Sequence, residues 1–536
     1  MPTETNTVTT APTPVIYKFG TSGYRNDTDA GFNEAVVRQI TGAIADYFID
    51  QLQRLGLGDC AATMLVGGDT REKTIKFAPL VANLLLERGF DVALAEDDIP
   101  TPVLAFAASH LDKLGLMHAH SVGAVLLSAS HNPWPYGGYN FLTNQGAVAP
   151  SAMTQAFEAL QANPKALKLN RKGQLKPLEA YMAYRRHLIE QVQINFPSIT
   201  HAGLQVFYSP LYATGRRYLP PLLADEGVQI HMLQGDADRP QGYTGMPNPV
   251  AEELEPLIHA VKGASPAAGS IVGLANDGDA DRFGVIDENG QFVHANDVLL
   301  LVLWHQLNHR LVDRPLTGTV LRSQATSHKL DALLKQIPQT AIEVIQTPVG
   351  YKYIAECFIE QEEQGLPEII LGGESSGGLS IGGHIPEKDG ILANLLVLEA
   401  MAKAKIPLSR LISEINASLP QRYAFHEIAV RTPDGAKILD QAQAFITTAL
   451  PVDTQSSVAE AEKLQTKFGT RDGLKFYLSN GGWVLLRASG TEPLLRVYSE
   501  GTGASSPEAE ATCQAQLKTI QDWLTNNFKI NAIGTH

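Results

Sequence analysis

Cysteine is scarce in this chain. Cys60, Cys357 and Cys513 are the only three in 536 residues, and none forms a CxxC pair. That argues against a disulfide framework and a cysteine zinc site, and it points to a reducing cytoplasm. Long apolar runs are missing as well. The longest, VLLLVLW at residues 298–304, falls far short of the ~20 residues a bilayer-spanning helix needs, so no membrane helix is expected. Positive charge is in deficit: 42 Lys and Arg stand against 56 Asp and Glu, a net charge of −14. Such a chain has no global field for nucleic acid or anionic lipid, so any anionic ligand must be held by a local cluster of cations. The opening MPTETNTVTTAPTP has no Lys or Arg and no apolar stretch. Residues 1–16 therefore read as a flexible tail and not as a signal peptide.

What is present is ordinary globular chemistry. Apolar residues make up 44% and charged residues 18%, with 46 Gly and 31 Pro, so the chain is expected to fold and bury large cores. At this length one core is not enough, and roughly three or four domains are expected. From Tyr17 onward, strand-like apolar runs alternate with amphipathic segments, the pattern of α/β domains with parallel or mixed sheets. The first unit, residues 17–197, has strands near 64–66, 92–95 and 122–127, helices near 77–88, 152–162 and 178–192, and a break at Ile99-Pro100-Thr101-Pro102. The second, 198–309, has strands at 204–207 and 271–275. The third, 310–420, has strands at 318–321 and 368–371 and a helix near 391–402. The last, 421–536, places strands at 482–486 and 494–498 before a helix at 508–526 and reads as α+β. The three α/β units share a strand–loop–helix design without a fixed period that would prove a repeat.

Several loops carry candidate chemistry. Asp277-Gly278-Asp279-Ala280-Asp281 follows an apolar strand. Three carboxylates at i, i+2 and i+4 converge on a hard divalent cation, and oxygen-only ligands favour magnesium. A calcium loop matches the three acids and Glu288 at the twelfth position, but Arg282 stands where that loop needs glycine. A solvated acidic turn is the bland alternative, and the buried-looking strand leading into the loop weighs against it. Ser130, in Ser128-Ala129-Ser130-His131-Asn132-Pro133, is a candidate nucleophile with His131 beside it for proton transfer; a Ser–His pair alone is more often a surface turn. Arg487-Ala488-Ser489-Gly490-Thr491-Glu492-Pro493 with Arg496 offers the guanidinium groups, hydroxyls and freed backbone that a phosphate dianion needs. Lys18 and Arg25 flank a Thr21-Ser22-Gly23 turn, otherwise an ordinary strand-turn. Glu374 and Ser376 in GGESSGG suit vicinal sugar hydroxyls, and His384 and Lys388 downstream could add a phosphate contact; by itself a Gly-rich loop is more often a turn.

Together and in this order, the five loops resemble those of the α-D-phosphohexomutase superfamily, which includes phosphoglucomutase and phosphomannomutase, over about residues 17–500. VGGDTREKT, MPNPVAEELEPL and TPVGYKYI are similar to family segments as well. The resemblance implies four domains around a central cleft: three similar α/β domains with mixed or parallel sheets and a C-terminal α+β domain, each giving one loop. It implies that Ser130 is the phosphoserine, that Asp277, Asp279 and Asp281 bind Mg²⁺ together with that phosphate, and that Arg25 and Lys18 assist. Arg282, Thr347, Gly350, Lys352, Glu374, Ser376, His384 and Lys388 would contact substrate, while Arg487, Ser489, Gly490, Thr491 and Arg496 would hold the distal phosphate. The implied substrate is a phosphosugar, with glucose 1,6-bisphosphate as intermediate and activator. Nucleic acid and membrane are excluded as partners, and the expected state is a monomer or homodimer.

One departure stands out. After SHNP the family usually has Asn-Gly-x-Lys, with the Lys a candidate proton acceptor; this chain has Gly137-Gly138-Tyr139-Asn140. An amide is no base, so proton transfer falls to His131 or to another group. HIPEKDG is similar to the phosphoglucomutase branch, which favours glucose over mannose or glucosamine. Two alternatives stay open: a glucose 1,6-bisphosphate synthase fed by another phosphorylated donor, and phosphomannomutase activity. A noncatalytic phosphosugar sensor fits less well, because it has no reason to keep both a nucleophile and metal ligands.

Overall fold

Three sheets share one construction, and it decides where the loops lie. In each, a central parallel strand turns back through a short loop into an antiparallel partner. His120–Leu127 turns into Tyr136–Leu142, Ile271–Asn276 into Phe283–Ile286, and Ile369–Glu374 into Gly378–Ser380. Residues 128–135, 277–282 and 375–377 are the connecting loops, so the serine, acidic and GESS segments occupy equivalent places in three units. The repeat expected without a fixed period is thus a repeat of topology.

The computed structural model describes the chain except residues 1–14, 21–22, 30, 116–119, 237–238, 240–242, 244, 265–270, 338–340, 450–457, 466–470, 489–492, 531–532 and 536. Most of the expected tail therefore lies outside the described residues. The first sheet has six strands, of which Tyr136–Leu142 runs against its neighbours; the second has five, and the third four. The fourth is an antiparallel sheet running from Val458–Gln465 to Ile533–Thr535, backed by the helix Ser506–Phe528. The α/β and α+β expectations hold. The central strands Ala62–Gly68, Ile271–Asn276 and Ile369–Glu374 are buried at every position, as parallel strands covered on both faces must be.

Two local expectations shift. The Ile99-Pro100-Thr101-Pro102 break is the entrance to the helix Thr101–Ser109. Pro102 sits in its first turn, where a missing N–H has no partner to lose. The helix Ala295–His305, within the span expected for the second unit, packs on Lys329–Leu334, Gly390–Ala404 and Leu408–Ser418 of the third. It is apolar nearly all round, so one sheet face cannot bury it.

One continuous core joins the first three units through Leu104, Leu126, Val272, Leu299, Leu371 and Leu395. The helix Gly390–Ala404 is buried from Gly390 to Ala402, and each fully buried Leu or Ile contributes about 1.5–3 kcal/mol. The fourth unit has its own core around Ile428, Phe476 and Trp523. It meets the third where Trp483, Leu485 and Tyr498 pack with Ala325. Three loops thus stand on one shared core and the fourth on a separate one. No helix among the described residues is long and apolar enough to cross a membrane.

Candidate active site

Ser130 is held in a backbone conformation that its own side chain disfavours. Its φ is 49°, the left-handed region, which costs a non-glycine residue about 1–2 kcal/mol. The loop compensates with buried polar contacts. Ser128 Oγ accepts from the Ser130 N–H at 2.9 Å and donates to Asp69 Oδ2 at 2.7 Å. Arg71, 3% exposed, donates to Asp69 and to the carbonyls of Ser130, Asn132, Pro133 and Tyr136, at 2.7–3.1 Å. The strained loop is thereby fastened to one guanidinium.

That fastening presents Ser130 to the second unit. Ser130 Oγ donates to Asp277 Oδ2 at 2.9 Å and lies 3.2 Å from His131 Nδ1. The carboxylates of Asp277, Asp279 and Asp281 are buried and have oxygens within 4.8 Å of one another. Burial, with Asp281 and Asp279 alongside, pushes the Asp277 carboxyl well above the usual carboxylate range. Burial and Asp279 raise Asp281 too, against the opposing pull of Lys388 and Arg282. Asp279 Oδ1 and Asp281 Oδ1 are buried without a hydrogen-bond partner among the described residues. An all-oxygen cluster with unsatisfied lone pairs and mutual repulsion fits a hard divalent cation such as magnesium.

Cations ring this cluster. Arg25, on the strand Tyr24–Asp27, donates to Asn132 Oδ1 at 2.8 Å and faces Asp279 and Asp281. Lys388 Nζ lies 2.6 Å from Asp281 Oδ2, and Arg282 donates its N–H to Asp277 Oδ1 at 3.0 Å. Burial and the nearby Arg282 and Arg25 hold His131 well below the ordinary histidine range, so its ring is neutral at neutral pH. A recess beside the cluster is lined by Arg25, Thr101, Asn140, Asp279, Asp281, Tyr351, Lys352, Glu387 and Lys388.

The third unit supplies Glu374, whose Oε1 accepts from the Gly350 N–H at 2.8 Å and whose carboxyl burial raises. Its loop is tied to the acidic loop by Phe283 N–H to Gly377 O at 3.0 Å. Ser376 is exposed, and Thr347 is buried with Oγ1 unpartnered among the described residues. Lys352 reaches Ser151 Oγ of the first unit at 2.9 Å. Arg487 acts electrostatically on Glu374 and Arg496 on His131, while Arg496 also pairs with Glu427. Ser489, Gly490 and Thr491 lie outside the described residues. Lys18 is exposed and has no hydrogen bond or ion pair among the described residues. The His384 side chain is fully buried between Asp389 and His187, a placement that fits packing and not the expected phosphate contact.

Asn140, where the family lysine would stand, donates Nδ2 to the carbonyls of Ser128 and Leu126 at 2.9 and 3.4 Å. It ties its strand to the serine loop. Asp69 and Arg71 lie in VGGDTREKT, which is similar to a family segment without revealing what either residue does, and Thr101 does not stand out from the sequence.

Sequence models of the phosphoglucomutase/phosphomannomutase family match along the chain: α/β/α domain I at residues 17–167, domain II at 182–290, domain III at 295–418 and the C-terminal domain at 427–518. The chain belongs to this family. It is a phosphohexomutase, an isomerase by class. It is 28% identical to a Thermococcus kodakarensis protein named phosphoglucomutase/phosphomannomutase, over 94% of this chain and 99% of the relative. It is also 28% identical to a probable phosphoglucosamine mutase of Methanothermobacter thermautotrophicus, covering 90% and 93%. A solved structure of a putative phosphomannomutase from Thermus thermophilus superimposes with a TM-score of 0.73 at 25% identity, covering 95% of this chain and 99% of that one.

Proposed function

We propose that this phosphohexomutase is a phosphoglucomutase interconverting glucose 1-phosphate and glucose 6-phosphate through phospho-Ser130 and glucose 1,6-bisphosphate. The observation that carries the proposal is the 2.9 Å contact between Ser130 Oγ and Asp277 Oδ2, which sets the nucleophile against the acidic cluster. Asp277, Asp279 and Asp281 would hold magnesium together with a phosphate oxygen on Ser130, and the ion would neutralise charge on the transferring group. Arg25, Arg282 and Lys388 add fixed positive charge around the same point. In the forward half-reaction the Ser130 Oγ–P bond breaks and the O6–P bond forms; the proton of the 6-hydroxyl passes through His131 to Ser130 Oγ. The bisphosphate then turns over, its 1-phosphoryl group returns to Ser130, and glucose 6-phosphate leaves. Glu374 suits the sugar hydroxyls, and Arg487 and Arg496 the distal phosphate.

A second reading, glucose 1,6-bisphosphate synthase, is favoured by one observation: at position 140 an amide bonded to two backbone carbonyls replaces the family's basic residue. Accumulation of bisphosphate from glucose 1-phosphate and a second donor, without a bisphosphate primer, would select it. Strict bisphosphate dependence with rapid 6-phosphate formation selects the mutase.

The deciding experiment is a coupled assay with glucose 1-phosphate, Mg²⁺ and varied bisphosphate on wild type and Ser130→Ala. Nearly complete loss of turnover, with an unchanged unfolding midpoint, is expected; near-wild-type turnover would overturn the nucleophile assignment. Mannose 1-phosphate and glucosamine 1-phosphate belong in the same assay, because the names of the relatives divide among these sugars.

A further inference from the structure

His384 lies behind the cleft, joined to it through Asp389. Its Nε2 lies 2.8 Å from Asp389 Oδ2 and its Nδ1 lies 3.1 Å from His187 Nε2. A carboxylate only accepts, so Nε2–H is the donor to Asp389, while the contact between Nδ1 and His187 Nε2 joins the two rings. His187 Nδ1 is buried without a partner among the described residues.

Asp389 is fully engaged. Oδ1 accepts from the N–H groups of Ile391 and Leu392, capping the helix Gly390–Ala404. Oδ2 takes the Tyr184 hydroxyl at 2.5 Å besides His384. The residues on either side of Asp389 both touch the acidic loop: Lys388 Nζ is 2.6 Å from Asp281 Oδ2, and the Gly390 N–H donates to Ala280 O at 3.1 Å. The stem of Lys388 passes over Gly378, where an added Cβ would come within 2.3 Å of Lys388 Cδ. The path of Lys388 is therefore defined at both ends.

We propose that His384 is a positioning residue: through Asp389 it sets Lys388 against Asp281, and His187 extends that setting to the first unit. The ammonium then occupies one oxygen of a metal-ligating carboxylate, so its placement tunes how tightly the cluster binds a cation. The proposal rests on the assignment of Asp281 as a metal ligand.

Two readouts test it on the full chain: turnover, and Mg²⁺ binding measured by calorimetry without substrate. His384→Phe is expected to lower kcat by about tenfold with KM for the sugar phosphate little changed, within the range seen for residues that orient metal ligands. It is also expected to tighten Mg²⁺ binding several-fold, because Lys388 no longer competes for Asp281; a general loosening of the fold would weaken it. His384→Gln, which keeps a donor toward Asp389, should restore most of kcat. In a Lys388→Met background, His384→Phe should cost less than about twofold more, since the two act as a unit. Additive losses in the double variant, weaker Mg²⁺ binding in His384→Phe, or no rescue by glutamine would each overturn the proposal. If Asp281→Asn leaves Mg²⁺ binding unchanged, the ligand assignment is what fails, and the kinetic cycle still decides whether His384 acts through Lys388.

Discussion

Thr101 and Asp279 clasp each other twice. The Thr101 hydroxyl donates to Asp279 Oδ2 at 2.6 Å, and the Thr101 N–H donates to the Asp279 carbonyl at 2.9 Å. The first contact fixes one oxygen of the carboxylate, leaving Oδ1, the unpartnered one, for a cation. The second uses an N–H that has no acceptor within its own helix, Thr101–Ser109, at the end of a helix that favours negative charge. The first unit thereby shapes the acidic cluster of the second.

Thr101→Val keeps the shape and the backbone bond but removes the hydroxyl. Loss of such an orienting contact typically costs about 10–100-fold in metal affinity or activity. The expected result is a rise of that size in the Mg²⁺ concentration for half-maximal activity, with the unfolding midpoint shifted little. An unchanged Mg²⁺ dependence would show that Thr101 does not orient the ligand.

Arg71 governs the serine loop. Arg71→Met would leave Asp69 buried without its cation and remove the guanidinium from four carbonyls in and beside the loop; breaking a buried pair in this way costs about 3–5 kcal/mol. Arg71→Lys restores charge but not the planar fork that reaches five acceptors. Both are expected to lower the urea midpoint and kcat, with lysine recovering only part of the stability. A lysine variant indistinguishable from wild type would show that charge alone suffices.

How much of the site is legible in sequence depends on how far apart the partners lie along the chain. Asp277, Asp279 and Asp281 sit within one turn, and their residue types state their chemistry. Asp279 and Thr101 are 178 residues apart, and nothing local to Thr101 announces the contact; its flanking prolines look like a break and turn out to be a helix entrance. What Arg71 does is hidden for a related reason, because four of its five acceptors are backbone carbonyls, which any residue supplies. His384 shows the opposite failure. Its proximity in sequence to Lys388 suggests a shared ligand, yet the turn that places Lys388 on Asp281 sends His384 into the joint with His187.

The buried histidines make stability depend on pH. Burial, with His384 alongside, holds His187 down to about 2, while an unfolded histidine titrates near 6.5. Between those values the unfolded chain binds a proton that the native chain does not, so stability is full above about pH 6.5 and falls as the pH drops, by at most about 1.4 kcal/mol per pH unit for one such group. Burial lowers His294, to about 4, and His110 as well, and both act in the same direction. Urea midpoints measured at pH 7.5 and 5.5 should fall on acidification, and less steeply in His187→Gln. Equal slopes in the two proteins would show that His187 is protonated in the native state.

Asn140 decides between a base and a brace. A general acid or base contributes about 10²–10⁴-fold to rate, whereas an amide holding a strand to a loop contributes mainly through its hydrogen bonds, about 0.5–1.5 kcal/mol each. Asn140→Ala should therefore lower the unfolding midpoint by an amount matching the two lost contacts to Ser128 and Leu126 and cost less than about tenfold in kcat. A lysine at this position would add its ammonium to a recess that already holds Arg25, Lys352 and Lys388 and would break both carbonyl contacts. Asn140→Lys is accordingly expected to destabilise the serine loop and not to raise turnover. If it instead raises the ratio of glucose 6-phosphate formed to bisphosphate released, the identity of residue 140 controls how long the intermediate stays bound, and the synthase reading gains its physical basis.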